Sequence, residues 1–150
     1  MSEQTIDRGS VASIAQRFEA RPEMLVQILQ AIVTEHGWVS ADVIRQLADI
    51  LNLSRADVHG VVEYYHDFRT EPPGSHIIKI CQAEACQAMG SRDLTRHADS
   101  SIDSDTTLEP VYCLGNCACA PAVMVNGKTF GRVNVERFDT LIAAMRENSS

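Results

Sequence analysis

Residues 111–121 read VYCLGNCACAP: Cys113, Cys117 and Cys119 fall within seven positions, Gly115 lies between the first two, and Pro121 closes the run. The remaining cysteines, Cys81 and Cys86, stand in ICQAEACQAMG, residues 80–90. An odd number of thiols fits a paired disulfide framework poorly, and their clustering points to metal or redox chemistry. The spacing is Cys-x4-Cys, then 26 intervening residues, then Cys-x3-Cys, with Cys119 two positions further on. Each pair falls where a stretch that reads as a strand runs into a loop. Loops at strand ends on one edge of a sheet converge, which brings four thiols toward one point.

Three chemistries compete for this pattern. Structural zinc takes four thiolates but draws on Cys-x2-Cys turns, in which two sulfurs bind one small ion at about 2.3 Å. Both pairs here are wider. A thiol–disulfide oxidoreductase uses Cys-x2-Cys at a helix start, where the thiol pKa falls, and that spacing is missing. A [2Fe–2S] cluster is larger, because each iron takes two thiolates and bridging sulfides separate the irons, so two roomier pairs suit it. Gly115 permits backbone angles closed to other residues and lets N–H groups point at cluster sulfurs. Ala118, Ala120, Ala122 and Pro121 would give a close, apolar cover.

The bulk composition narrows the setting. At 150 residues and 45% hydrophobic, the chain supplies an ordinary globular core for one medium domain or two small ones. No apolar run approaches the roughly 20 residues of a membrane span, and the start MSEQTIDRGSVAS lacks the layout of a secretory signal, so a cytoplasmic protein without membrane insertion is expected. A net charge of -7 with only two lysines, Lys79 and Lys128, offers no basic face for phosphates, which argues against a nucleic-acid partner.

The first 70 residues hold no cysteine, and the chain divides accordingly. RPEMLVQILQAIVTEHGW carries Met24, Leu25, Ile28, Leu29, Ile32 and Val33 at helical spacing, with Pro22 suited to the first turn and Gly37 to the stop. Ser40 opens a second helix with Val43, Ile44, Leu47 and Leu51 on one stripe. Ser54 and Asp57 form a capping-box start for a helix through ADVHGVVEYYHDF, and a short helix is expected near Val11–Phe18. TEPPGS, residues 70–75, breaks this pattern and marks a boundary between a helical bundle at 1–72 and a second domain at 73–150. There HIIKIC reads as a buried strand, EACQAMGSRDLTRHA as one helix, and TLEPVYC as an edge strand because of Pro110. Two further strands flank the Asn126-Gly127 hairpin turn, and NVERFDTLIAAMREN closes as a helix. The fold class is α+β.

ICQAEACQAMG followed by VYCLGNCACAPAVMVNGKTFGRV resembles the thioredoxin-like [2Fe–2S] ferredoxin subunit of the NADH dehydrogenase module, the complex I family. VVEYYHDFRTEPPGSHIIKIC is similar to that family's link between helical bundle and ferredoxin domain, so the resemblance spans nearly the whole chain. It implies a thioredoxin-like α/β ferredoxin domain at 73–150 and a [2Fe–2S] cluster held by Cys81 and Cys86 on one iron and Cys113 and Cys117 on the other. Cys119 occupies a position that need not be cysteine. The resemblance also implies an electron-transfer role without substrate chemistry in this chain, with FMN and NAD bound only by a partner flavoprotein. The compact form, with a short stretch between the cysteine pairs, is closest to the gamma subunit of NAD-dependent molybdenum formate dehydrogenases. Respiratory complex I and NAD-linked hydrogenases are the related alternatives, and a structural zinc or scaffold module is the rival from another class.

Elsewhere the sequence is plainer. Tyr64, Tyr65 and Phe68 stand at helical spacing, which predicts packing between the two regions rather than a partner patch. His36, His59, His66, His76 and His97 are scattered away from the cysteine pairs; His76 opens the strand leading to Cys81 and is the one placed to tune a cluster. Asp99, Asp103 and Asp105 read as a solvated loop. There is no Gly-rich phosphate loop and no Ser/His/Asp arrangement.

Overall fold

The computed structural model describes residues 6–147 and divides into two compact units with the boundary between Pro72 and Pro73. The first unit is helical: α1 (Arg8–Gln16), a 3-10 turn (Pro22–Met24), α2 (Leu25–His36), α3 (Ala41–Leu51) and α4 (Arg55–Tyr64). Local chemistry sets the ends of these helices. The Asp7 carboxylate accepts from the Gly9 N–H at the start of α1. Gly37 stops α2 in the left-handed conformation at φ 85°. Ser40 Oγ accepts the Val43 N–H at 3.1 Å, and Ser54 and Asp57 complete the reciprocal capping box at 3.1 and 3.2 Å. Ile28, Leu29, Ile32, Val43, Leu47, Leu51 and Val58 fill the shared core.

Helix α4 is shorter than its sequence pattern suggests. It ends at Tyr64, and Tyr65 turns to an extended backbone. Phe68 is buried in the helical core, but Tyr64 and Tyr65 are 76% and 42% exposed. Phe68 thus packs within the helical unit's own core, and neither tyrosine is packed there. The two tyrosines stack edge to face on each other at 5.1 Å.

The second unit runs β1 (His76–Cys81), α5 (Glu84–Ala88), α6 (Ser91–Ser101), β2 (Thr106–Val111), a 3-10 turn (Cys117–Cys119), β3 (Val123–Val125), β4 (Lys128–Phe130) and α7 (Val135–Glu147). The sheet order is β2-β1-β3-β4, with β1 parallel to β2 and antiparallel to β3. Pro110 accordingly lies in an edge strand. Asn126 and Gly127 both take positive φ, 47° and 82°, as a two-residue hairpin loop requires. The helix expected over 84–98 is instead two, because Gly90 adopts φ 97° between them. One core joins Ile78, Ile80, Val123 and Val125 of the sheet to Leu94 and Ala98 of α6 and Phe138, Ile142 and Met145 of α7.

Candidate metal centre

Register places every cysteine-bearing segment at one end of the sheet. Cys81 is the last residue of β1 and stands beside Val111, the last of β2. The Gln82 N–H donates to the Val111 carbonyl at 2.7 Å, and the Cys81 N–H to the Ala122 carbonyl at 3.1 Å. The loop leaving β2 and the segment entering β3 are thus both fastened to the end of β1. Cys113 and Cys117 lie on that loop, whereas Cys86 sits within the short helix α5, inside the stretch read as helical.

The four thiols form two unlike pairs. Cys81 and Cys86 are buried, at 1% and 2% exposure, in an apolar cluster with Ala120 and Ala122. Burial, aided by the neighbouring Cys81 thiol, pushes the Cys86 thiol above its ordinary pKa, against the backbone hydrogen bond from Ala122. Cys113 and Cys117 are exposed, and their sulfurs lie 4.0 Å apart. The hydrogen bond to Cys113, and next the charge of Cys113, raise the Cys117 thiol, with a smaller push from Cys81. That influence crosses from one pair to the other. No cysteine is in a disulfide. Among the described residues, no three His, Cys, Asp or Glu side chains gather closely enough to hold a single metal ion.

The outer loop is shaped for sulfur. Gly115 takes φ 70°, and its N–H donates to Cys113 Sγ at 3.3 Å. Cys113 itself holds φ 136°, a conformation that costs a non-glycine residue energy and persists only where the surroundings impose it. Of the expected apolar cover, Ala120, Pro121 and Ala122 are buried while Ala118 is exposed. Cys119 is half-buried on the 3-10 turn, and its Cβ faces Gly131. His76 stands at the opposite end of β1 from Cys81, with Nδ1 3.0 Å from Asn126 Nδ2, so it is not placed beside the thiols. The four donors suit a binuclear iron–sulfur group: all are thiols, they come as two pairs, and a backbone N–H is aimed at one sulfur.

Residues 11–146 match the family of thioredoxin-like [2Fe–2S] ferredoxins. The chain belongs to that family. Its prosthetic group is therefore a [2Fe–2S] cluster. Among relatives, this ferredoxin is 28% identical over 147 residues to an NADH-quinone oxidoreductase subunit from Pseudomonas aeruginosa, covering 92% of this chain and 89% of that one. It is 25% identical over 145 residues to the equally named protein from Escherichia coli K12, covering 91% and 87%. Of solved structures, an NAD+-reducing [NiFe]-hydrogenase in the air-oxidized state superposes with a TM-score of 0.64 at 22% identity, over 80% of this ferredoxin and 23% of the hydrogenase chain. That likeness concerns the fold. Among the described residues no helix is long and apolar enough to cross a membrane.

Proposed function

We propose that this ferredoxin is the electron-transfer subunit of an NADH dehydrogenase-type module, with Cys81, Cys86, Cys113 and Cys117 as the cluster ligands. The observation that carries the reading is the presence of two thiol pairs at one end of the sheet, one buried behind Ala120 and Ala122 and one exposed. When bound, the cluster supplies a one-electron carrier. The chain's own residues do the rest: Cys81 and Cys86 anchor the group to β1 and α5, Ala120 and Ala122 keep water from the inner side, and the Gly115 N–H tempers the charge on Cys113 Sγ. The exposed outer pair leaves one side open to a partner.

The relatives named as NADH-quinone oxidoreductase subunits support a partner that is an NADH- and FMN-binding flavoprotein. FMN and NAD are assigned to that partner, and this chain carries no dinucleotide fingerprint. The 26-residue interval between the cysteine pairs supports a soluble, cytoplasmic molybdenum formate dehydrogenase as the parent enzyme. In this reading the helical unit, residues 1–72, serves docking, and residues 73–150 carry the cluster.

Anaerobically prepared protein should contain about two irons and two sulfides per chain and give a rhombic S = 1/2 resonance on reduction. Serine in place of Cys81, Cys86, Cys113 or Cys117 should each lose iron. One zinc without sulfide refutes the cluster. Native co-purification identifies the parent enzyme, and recovery with a complex I or hydrogenase module instead of a formate dehydrogenase overturns that part.

A further inference from the structure

The outer thiol pair poses a positioning problem that the inner pair does not. Cys81 and Cys86 are set by a strand, a helix and the apolar cluster around them, whereas Cys113 and Cys117 are exposed and the half-buried Leu114 between them is the loop's contact with that cluster. Something else must fix the Asn116–Cys119 turn.

We propose that Gly131, just after β4, is a positioning residue for the cluster. Its missing side chain lets the β4–α7 segment lie directly against the turn that carries Cys117. A Cβ at Gly131 would stand 2.6 Å from Cys119 Cβ, 2.8 Å from Asn116 Nδ2 and 2.9 Å from the Cys119 carbonyl oxygen. The Asn116 amide can rotate away. The Cys119 Cβ and carbonyl cannot, so a methyl group displaces the turn itself. Gly131 does not take a positive φ, so the requirement is for space rather than for a left-handed backbone. Gly115 is the converse case: it takes φ 70° and a Cβ there would meet nothing within 4 Å.

The close approach is stapled immediately after Gly131. The Arg132 N–H donates to the Cys119 carbonyl at 2.6 Å, and the Val133 N–H to the Pro121 carbonyl at 3.0 Å. Within the turn, the Cys119 N–H reaches the Asn116 carbonyl at 3.0 Å and the Ala120 N–H the Cys117 carbonyl at 3.3 Å. Val133 is fully buried in the core with Phe138. A continuous path therefore runs from the core through Val133 and Arg132 to the turn, and so to Cys117. Sites of this kind depend on supporting contacts that hold a ligand to within a fraction of an ångström.

The inference rests on the ligand reading above, and its test separates the two. Full-length wild type, Gly131→Ala, Cys119→Gly and the double variant are loaded anaerobically. Iron and sulfide content, g values, midpoint potential and cluster half-life under a chelator are then measured, with far-ultraviolet dichroism as the fold control. Gly131→Ala should keep its secondary structure but show shifted g values, a shifted potential and a half-life shortened several-fold. Cys119→Gly should stay near wild type, and the double variant should move part of the way back, because the Cβ–Cβ contact is gone. Gly131→Ala that matches wild type in all these readouts overturns the inference, as does a double variant no closer to wild type than the single. If Gly131→Ala fails to fold, recovery of a folded, loaded chain by the double variant supports the inference and its absence refutes it. A wild type that takes up no iron and sulfide refutes the ligand reading, and this inference with it; a loaded wild type beside an indifferent Gly131→Ala refutes this inference alone.

Discussion

Arg146 Nη2 stands 3.0 Å from Asp103 Oδ2, tying the last turn of α7 to the loop that enters β2. Asp103 also accepts the Thr106 hydroxyl at 2.8 Å. The Thr106 hydrogen bond, and then the Arg146 charge, hold the Asp103 carboxyl below the usual aspartate range. A carboxyl with a lower pKa in the folded state contributes fully above its unfolded value of about 3.9 and loses that contribution as pH falls through the folded value. Asp103→Asn should therefore lower the melting temperature slightly at neutral pH and make the acid limb shallower below about pH 4. The effect is small because the pair is solvated. Thermal melts across the acid range check it, and an acid limb that overlays wild type sinks the assignment.

Gly74 controls the entry to the sheet. Its N–H donates to Thr107 Oγ1 at 2.7 Å, and a Cβ there would lie 2.1 Å from the Asp105 carbonyl oxygen. Backbone cannot rotate aside, so Gly74→Ala should destabilise the second unit by about 1–3 kcal/mol. Gly60, inside α4, has nothing within 4 Å of where a Cβ would stand, and Gly60→Ala should stabilise its helix by roughly 0.5–1 kcal/mol. Urea denaturation of both variants distinguishes crowding from a general intolerance of substitution, which two equal losses would indicate.

Cys119 should prove dispensable as a ligand. Cys119→Ser is expected to retain iron, sulfide and the reduced-state resonance, because its Cβ faces Gly131 while Cys113 and Cys117 enclose Gly115. Loss of iron from this variant alone would move the fourth ligand from Cys117 to Cys119.

Alkylation of the cluster-free chain should follow exposure. Cys113 and Cys117 should react first on account of their exposure, although the neighbouring Cys113 raises the Cys117 thiol too. Cys86 should lag and need a higher pH, since burial raises its thiol and the thiolate is the reacting form. Mass-spectrometric mapping over time tests the order, and Cys86 reacting as fast as Cys113 would contradict the buried inner pair.

Tyr64 and Tyr65 should be replaceable by alanine with little loss of stability, whereas Phe68→Ala should cost about 3–5 kcal/mol through the cavity it leaves. Chemical denaturation of the three variants gives the comparison. A large loss at Tyr64 would place that ring in a packed environment.

The strands and caps were legible in the sequence because each rests on local chemistry. Ser40, the Ser54–Asp57 box, Gly37 and Asn126-Gly127 act on their own backbone neighbours. The thiol pairs were legible for a similar reason, as spacing constrains what a loop can embrace. Other features were not written locally. Glycine inside a helical pattern is ambiguous, and only the left-handed Gly90 separates α5 from α6. Tyr64 and Phe68 share a periodic pattern but differ in burial because the helix stops at Tyr64. The crowding at Gly131 and the strained backbone of Cys113 arise between segments distant in sequence, so no window of neighbours contains them.

Pro110 in the edge strand β2 has a consequence for self-association. An open sheet edge is a template for strands of other copies, and natural proteins blunt such edges with proline, charge or short strands. Pro110 offers no N–H to an incoming strand. At the opposite edge, β4 spans only Lys128–Phe130 and carries an exposed lysine. Neither margin provides a long, regular ladder. This sheet is therefore poorly suited to growing from copy to copy.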